Sequence, residues 1–141
     1  MGMIGERVLR TEDPDLVMGR GTFIDNLALP GATHVVYVRS AMAHARIRGI
    51  DISVARAMPG VLGVFTHADV VADGLGPLPM DMPLLPADIR RPALADGTVR
   101  FVGELIAAVV AESRALAVDA AEAVYVDYEA LPAVVDPEEA L

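Results

Sequence analysis

Residues 105–129 read LIAAVVAESRALAVDAAEAVYVDYE, and their periodicity changes twice. Leu105 to Ala111 is a continuous apolar run, which is typical of a strand buried on both faces, so we place it at the centre of the sheet. Ser113 is positioned to cap a helix over residues 114–123, which present one apolar face. From Val124 to Glu129 apolar and polar residues alternate, which predicts a strand with one face toward solvent. The order strand, helix, strand indicates an α+β domain.

Two strands, a short helix and a third strand are predicted before this stretch. Residues 33–40 are rich in β-branched and aromatic side chains, which predicts a strand. A second strand is predicted over 46–52, where Gly49 interrupts the alternation and marks a bulge. Ser53 to Met58 follows as a short helix, and Val61 to Thr66 as the third strand.

Residues 69–95 are predicted to form a long loop, because five prolines fall within sixteen residues of this region. Loops of this length are uncommon unless they are functional or covered by a partner. Asp96-Gly97 is a hairpin signal that leads into a strand at 98–102. Residues 1–32 contain too many turn signals for a long element, and only Thr22 to Ile24 is predicted as a short strand.

These patterns divide the chain into an N-terminal arm at 1–32, one domain at 33–135 and an acidic, connector-like tail at 136–141. The chain has 141 residues, 54% of them hydrophobic, so it can bury one core without disulfides or metals. Because cysteine is absent, these residues hold no disulfide, iron-sulfur cluster or thiolate zinc site. The longest apolar run is far below the ~18 residues of a membrane-spanning helix, so we expect a soluble, cytoplasmic protein.

The formal net charge is -9, and it is unevenly distributed. Residues 51–141 carry fifteen acidic residues against five Arg, whereas residues 1–50 carry five acidic residues against six Arg. An acidic surface binds polyphosphates poorly, which argues against nucleic acid and anionic membranes as partners. We interpret the acidic half as a solvated face that favours solubility, and as a candidate docking surface.

The residues that most often carry chemistry do not assemble into a site in the sequence. The three histidines, His34, His44 and His67, lack the spacing that would direct two imidazoles to one metal. Gly19-Arg20-Gly21 resembles a phosphate loop only superficially, because no strand precedes it and the chain contains no Lys. Ordinary turn geometry is the favoured interpretation of these glycines, and anion contact the weaker one.

Serine and carboxylate chemistry is similarly weak. Each serine lies where a helix cap or a strand end explains it, and none is surrounded by a glycine elbow. Asp127 and Glu129 point outward on an exposed strand face, where solvation is the simpler explanation. A small self-contained enzyme that uses Glu104 or Asp127 as a general base therefore stays the weakest hypothesis.

Read as a continuous string, the chain resembles the N-terminal α/β hammerhead domain of the aldehyde oxidase and xanthine dehydrogenase family, including aerobic carbon monoxide dehydrogenase. The resemblance is collinear over residues 5–141 and departs from the family pattern mainly at Asn26, Ala41-Met42 and Leu105. It is carried by residues 19–31, His34, 38–40, 43–47, Ile50-Asp51, 58–61, Asp69, 94–97, 99–104, 107–112, 120–122 and 126–137.

The resemblance implies an α+β hammerhead fold with a mixed sheet, two short helices and a long proline-rich loop. In such large subunits this domain precedes a much longer region that holds the molybdopterin cofactor and the catalytic glutamate. The resemblance therefore implies no cofactor, metal or catalytic residue in this chain, and a molybdopterin cofactor on the partner chain or the missing region. We take Gly19, Arg20, Gly21, His44 and Arg46 as candidate partner-contact residues.

Two functions remain open besides the small enzyme. The favoured one is a structural domain of a molybdenum hydroxylase, made as a small subunit, an orphan domain or an excised piece. It would dock against the molybdopterin-binding region and neighbouring iron-sulfur or FAD subunits. The alternative is an independent binding or scaffold protein that dimerises through an exposed strand edge.

Overall fold

The computed structural model describes residues 5, 9–24, 27, 29–78 and 91–139. The chain divides into two units, Met1–Ala32 and Thr33–Leu141, which we call the N-terminal unit and the main unit. Within the described part of the N-terminal unit the regular element is the short helix α1 (Asp13–Val17). All the strands that we describe lie in the main unit.

The main unit is built from two three-stranded sheets in which every pairing is antiparallel. The first sheet has the order β1-β5-β3, and the second has the order β4-β2-β6. Successive strands belong to alternate sheets, so the chain moves from one sheet to the other after each strand. The strands are β1 (His34–Arg39), β2 (Ala45–Asp51), β3 (Val61–Thr66), β4 (Thr98–Val99), β5 (Leu105–Ala111) and β6 (Tyr125–Ala130).

Strand β5 is the centre of the first sheet, as its continuous apolar run predicts. Its side chains supply both hydrophobic cores of the main unit. Ile106 is fully buried with Ala45 and Val99 of the second sheet. Val109 is fully buried with Val64 and with the alanines of the helices. One strand therefore links the packing of the two sheets.

Three short helices complete the main unit: α2 (Ser53–Ala57), α3 (His67–Ala72) and α4 (Arg114–Glu122). The predicted helix over 114–123 is confirmed as α4, and the Ser113 hydroxyl accepts a hydrogen bond from the Leu116 amide at 3.3 Å. Ala117 and Ala120 of α4 are fully buried. Helices α2 and α4 pack on the first sheet and thereby cover one of its faces.

The predicted α+β class is confirmed, and the structure has two antiparallel sheets where the prediction has one mixed sheet. The bulge at Gly49 is also confirmed, because the β2–β6 register shifts between Ile47 and Gly49. Two helices were absent from the prediction, namely α1 and α3. The prediction of a strand at Thr22 to Ile24 is wrong, since these residues form no ladder.

Helix α3 corrects the first part of the predicted loop 69–95. The Asp69 carboxylate accepts hydrogen bonds from the Thr66 amide at 2.7 Å and from the Thr66 hydroxyl at 2.9 Å. These bonds, led by the one from the Thr66 amide, hold the pKa of Asp69 below its ordinary value. They fix the start of helix α3, where the proline-rich composition of the region had predicted a loop. Residues 79–90 of the predicted loop lie outside the described residues.

The predicted strand at 98–102 is shorter in the structure and ends at Val99. Gly103 adopts a φ of 90°, and the residues from Arg100 to Glu104 turn the chain from the second sheet to the first. A left-handed residue of this kind favours glycine, and it interrupts a strand. Both the length of β4 and the position of the turn follow from this geometry.

Replacing Ile106 with alanine is expected to lower the free energy of unfolding by about 2–5 kcal/mol, because it leaves a cavity between the two sheets. Leu62→Ala on β3 is the control, since Leu62 is exposed. It is expected to change stability by less than about 0.5 kcal/mol. Urea denaturation of both variants measures the difference, and equal losses would show that Ile106 does not link the cores.

Candidate docking surface

Two of the connections between the sheets lie side by side and are hydrogen bonded to each other. We call them the crossing loops: residues 40–44, which join β1 to β2, and residues 100–104, which join β4 to β5. The Ser40 amide donates to the Glu104 carbonyl at 2.9 Å. The Gly103 amide donates to the Ser40 carbonyl at 2.8 Å. The two loops therefore hold each other in place through reciprocal backbone bonds.

Ser40 stabilises the first crossing loop from inside. Among the residues that the structure describes, Ser40 is the one polar residue that is buried, and it is only 3% exposed. Its hydroxyl donates to the Met42 carbonyl at 2.8 Å and accepts from the Met42 amide at 3.0 Å. Because both bonds stay within the loop, this buried hydroxyl is satisfied without a ligand.

Glu104 stabilises the second crossing loop in the same way. Its carboxylate accepts a short hydrogen bond from the Arg100 amide and lies 3.4 Å from the Arg100 guanidinium. The side chain is only 12% exposed. Arg39 adds a bond from its guanidinium to the Gly103 carbonyl at 3.0 Å. Both carboxylate oxygens of Glu104 are thus engaged in shaping the loop.

His44 connects the first crossing loop to the segment that follows β6. Its Nδ1 lies 2.6 Å from the Pro132 carbonyl oxygen, and because a carbonyl can only accept, this nitrogen is the donor. The Leu131 amide donates to the His44 carbonyl at 3.0 Å. These two bonds hold His44 against residues 131–132, and its predicted role in partner contact stays a prediction.

Arg46 is also paired within the main unit. Its guanidinium lies 3.1 Å from Glu129 on β6, and the Arg48 guanidinium lies 3.4 Å from the same oxygen. The bulge at Gly49 leaves Arg48 as the extra residue of β2, which brings both arginines to one carboxylate. The hydrogen bond and charge of Arg48, with a smaller contribution from Arg46, hold the pKa of Glu129 below its ordinary value.

The surface around the crossing loops is apolar. A groove of about 470 Å³ lies between the second crossing loop and the segment after β6. Its apolar side chains are each at least 50% exposed: Phe101, Val102, Val134 and Val135. Since the polar groups beneath are bonded within the chain, these four side chains are what a partner would contact here.

The five predicted contact residues are divided between the two units of the chain, and each unit is described by itself. Gly19, Arg20 and Gly21 belong to the N-terminal unit, whereas His44 and Arg46 belong to the main unit. Gly19 adopts a φ of 68°, and the Arg20 guanidinium lies 3.5 Å from the Asp15 carboxylate. This is the turn geometry that the sequence favoured. A role of the five residues in partner contact stays a prediction.

Sequence reasoning missed the four apolar groove residues. The available signal was the position of Phe101 and Val102 between a short strand and a turn glycine, where large apolar residues have no strand face to occupy. The two carboxylates considered as general bases are likewise separated, with Glu104 in a crossing loop and Asp127 exposed on β6.

The described residues do not fit a pterin cofactor or a catalytic metal. Within them, no group of three or more His, Asp and Glu side chains is close enough to hold a metal ion. A buried cofactor also needs several buried polar groups free to bind it. Among the described residues the hydroxyl of Ser40 is already bonded to Met42, and the Nδ1 atom of His67 is a single buried atom without a bond. We therefore derive no reaction step through such a group.

None of the helices described is both long and apolar enough to cross a membrane.

Replacing Glu104 with alanine is expected to cost about 1–3 kcal/mol of stability, because the Arg100 amide loses its acceptor at a nearly buried site. Glu104→Gln keeps one acceptor oxygen and is expected to recover part of the loss. Asp127→Ala, at an exposed position, is the control and is expected to stay within about 0.5 kcal/mol. Thermal or urea unfolding measures all three, and an unchanged Glu104→Ala variant would contradict this role.

Comparison with known proteins shows which family the chain is similar to. Residues 18–132 match the family model described as "Aldehyde oxidase and xanthine dehydrogenase, a/b hammerhead domain". The chain is 46% identical over 133 residues to the carbon monoxide dehydrogenase large chain of Afipia carboxidovorans, which covers 94% of this chain and 16% of that protein.

Solved structures give the same result. Quinoline 2-oxidoreductase from Pseudomonas putida 86 has a TM-score of 0.85 and 47% identity, over 99% of this chain and 18% of that chain. Cu,Mo-CO dehydrogenase has a TM-score of 0.84 and 43% identity, over 96% of this chain and 16% of that chain. The chain thus spans about one-sixth of the length of these relatives. It belongs to the aldehyde oxidase and xanthine dehydrogenase family, and corresponds to the α/β hammerhead domain of that family.

Proposed function

We propose that this chain is a structural hammerhead domain that docks against the molybdopterin-binding region of a molybdenum hydroxylase. Iron-sulfur and FAD subunits are further neighbours in this proposal, and a cytoplasmic location is part of it. The observation that carries it is the match over nearly the whole chain to about one-sixth of proteins such as Cu,Mo-CO dehydrogenase. The reaction served is the hydroxylation of an aldehyde or N-heterocycle, or the oxidation of CO.

The crossing loops support a docking role. Backbone and side-chain bonds fix both loops, so the four apolar groove residues are presented on a rigid base. Rigid presentation lowers the entropy that is lost on association, and burial of exposed apolar side chains supplies the driving force. The segment after β6 forms one wall of the groove, which would bring a partner beside residues 131–135.

A second candidate function rests on an open strand edge. In the described part of the second sheet, β6 pairs with β2 on one side and with no strand on the other. Such an edge can accept a strand from another chain, which would suit a scaffold protein that forms dimers. Affinity purification of the chain from its native host separates the candidates. Recovery of a polypeptide that contains molybdopterin, whether it is continuous with this chain or a separate subunit, supports the docking function. Recovery of only this chain supports the scaffold function.

The purified chain alone is expected to contain no molybdenum and to oxidise no aldehyde, purine or CO. The physical reason is that, among the described residues, no group of three or more His, Asp and Glu side chains could hold a metal ion. Elemental analysis and a dye-linked assay on the same sample measure both. Turnover by a sample that contains no other chain would contradict the proposed division of labour.

A further inference from the structure

The first sheet has one face covered by helices and one face without such cover. Helices α2 and α4 pack against Val64 and Val109, on one side of the sheet. Side chains alternate along a strand, so Tyr37 and Phe65 point to the opposite side. Both are exposed, as is Val35, two residues before Tyr37 on the same face of β1. Neither α2 nor α4 reaches these side chains in the described structure.

The register of the three strands makes this face a trough. Ala108 at the centre of β5 is paired with Tyr37 on one side and with Phe65 on the other. An aromatic ring therefore stands on each side of a single methyl group. The resulting groove has a volume of about 470 Å³, and Val70, Leu75 and Leu78 form further apolar walls.

Gly63 leaves room for one of these rings. A Cβ atom added at Gly63 would lie 2.7 Å from the ring carbons of Phe65. The Phe65 ring therefore lies against the bare backbone of Gly63, where only glycine leaves room for it. An exposed aromatic ring in this position is suited to act as the anchor of an interface, because it can bury a large apolar area.

The negative charge around the trough limits which kinds of partner could occupy it. Asp69 and Asp73 line its rim, and the whole chain carries a formal net charge of -9. A two-fold contact between two copies of this chain would bring like charges together, which disfavours a dimer. The occupant should present apolar side chains with cationic groups beside them.

We propose that this trough, formed by Tyr37, Ala108 and Phe65, is covered by the molybdopterin-binding region of the family's large chain. This inference rests on the proposed function. About five-sixths of the length of the relatives lies outside the segment that this chain matches, so the family holds ample additional surface for this contact. The trough would form the apolar centre of that interface, and Asp69 and Asp73 its polar rim.

The test uses the assembled enzyme that contains this chain. A photo-crosslinking amino acid is introduced in place of Tyr37, and in a matched control in place of Tyr125, an exposed tyrosine on β6. We expect the probe at Tyr37 to form crosslinks that mass spectrometry maps to the molybdopterin-binding region. The inference would be overturned if the probe at Tyr37 formed crosslinks only to residues 79–90 of the same chain, to a second copy or to another subunit. The absence of any crosslink from this probe would also overturn it.

Hydroxyl-radical labelling of the unmodified enzyme gives a second measurement that needs no substitution. In the isolated main unit Tyr37 is 44% exposed and Tyr125 is 67% exposed, so exposure alone predicts similar oxidation rates. In the assembled enzyme we expect Tyr37 to be oxidised at least about fivefold more slowly than Tyr125, because a covered interface excludes water. Similar rates would overturn the inference.

The two proposals fail in different ways. If no molybdopterin-containing polypeptide is present with this chain, the proposed function fails and the inference fails with it. If that polypeptide is present and Tyr37 is still labelled as fast as Tyr125, the inference alone fails, and docking takes place at another surface.

Discussion

The reciprocal backbone bonds between Ser40 and residues 103–104 continue the β1–β5 pairing past Arg39 and Leu105, and they fix the point at which the chain leaves the first sheet in both crossing loops. Because successive strands belong to alternate sheets, the chain must cross between the sheets repeatedly. Each crossing exposes backbone groups that a continuous ladder would have paired. At two of these crossings the exposed backbone groups pair with each other, because Ser40 in one loop bonds to residues 103–104 in the other. Ile106 of β5 adds the apolar contact that joins the same two sheets.

This arrangement explains why the side chains left exposed beside the crossing loops include large apolar ones. The hydroxyl of Ser40, the carboxylate of Glu104 and the ring of His44 are all bonded to the backbone of their own chain. The side chains left exposed beside them are large and apolar, and so are those on the open face of the first sheet. A domain that uses its polar groups for shape and exposes apolar ones is suited to contact other protein surfaces. Membership of a family whose large chains are about six times longer agrees with such a role.

Features set by short-range patterns could be predicted from the sequence. The apolar run of β5, the capped helix α4 and the bulge at Gly49 each depend on neighbours within a few residues, and all three are confirmed. Helix α3 was missed because its capping by Asp69 lies at the start of a proline-rich region, whose composition favoured a loop. The division into two sheets could not be predicted either, because it depends on pairings between strands far apart in sequence.

The candidate site was harder to predict than the fold. His44 and Arg46 were selected by residue type and by the family resemblance, and both have partners within the chain. Phe101 and Tyr37 have no local signature, since exposure is decided by what the tertiary fold leaves uncovered. The trough at Ala108 likewise exists only because strands from three parts of the chain meet in one register.

Native-state amide hydrogen exchange tests most directly whether the two crossing loops are fixed to each other as part of the folded main unit. The amides of Ser40 and Gly103 are predicted to exchange as slowly as that of Val109 in β5, because they should open only when the main unit unfolds globally. Exchange at those two amides that is orders of magnitude faster than at Val109 would show local opening of the loops. That result would contradict the account, because the loops would then open while both sheets stay folded.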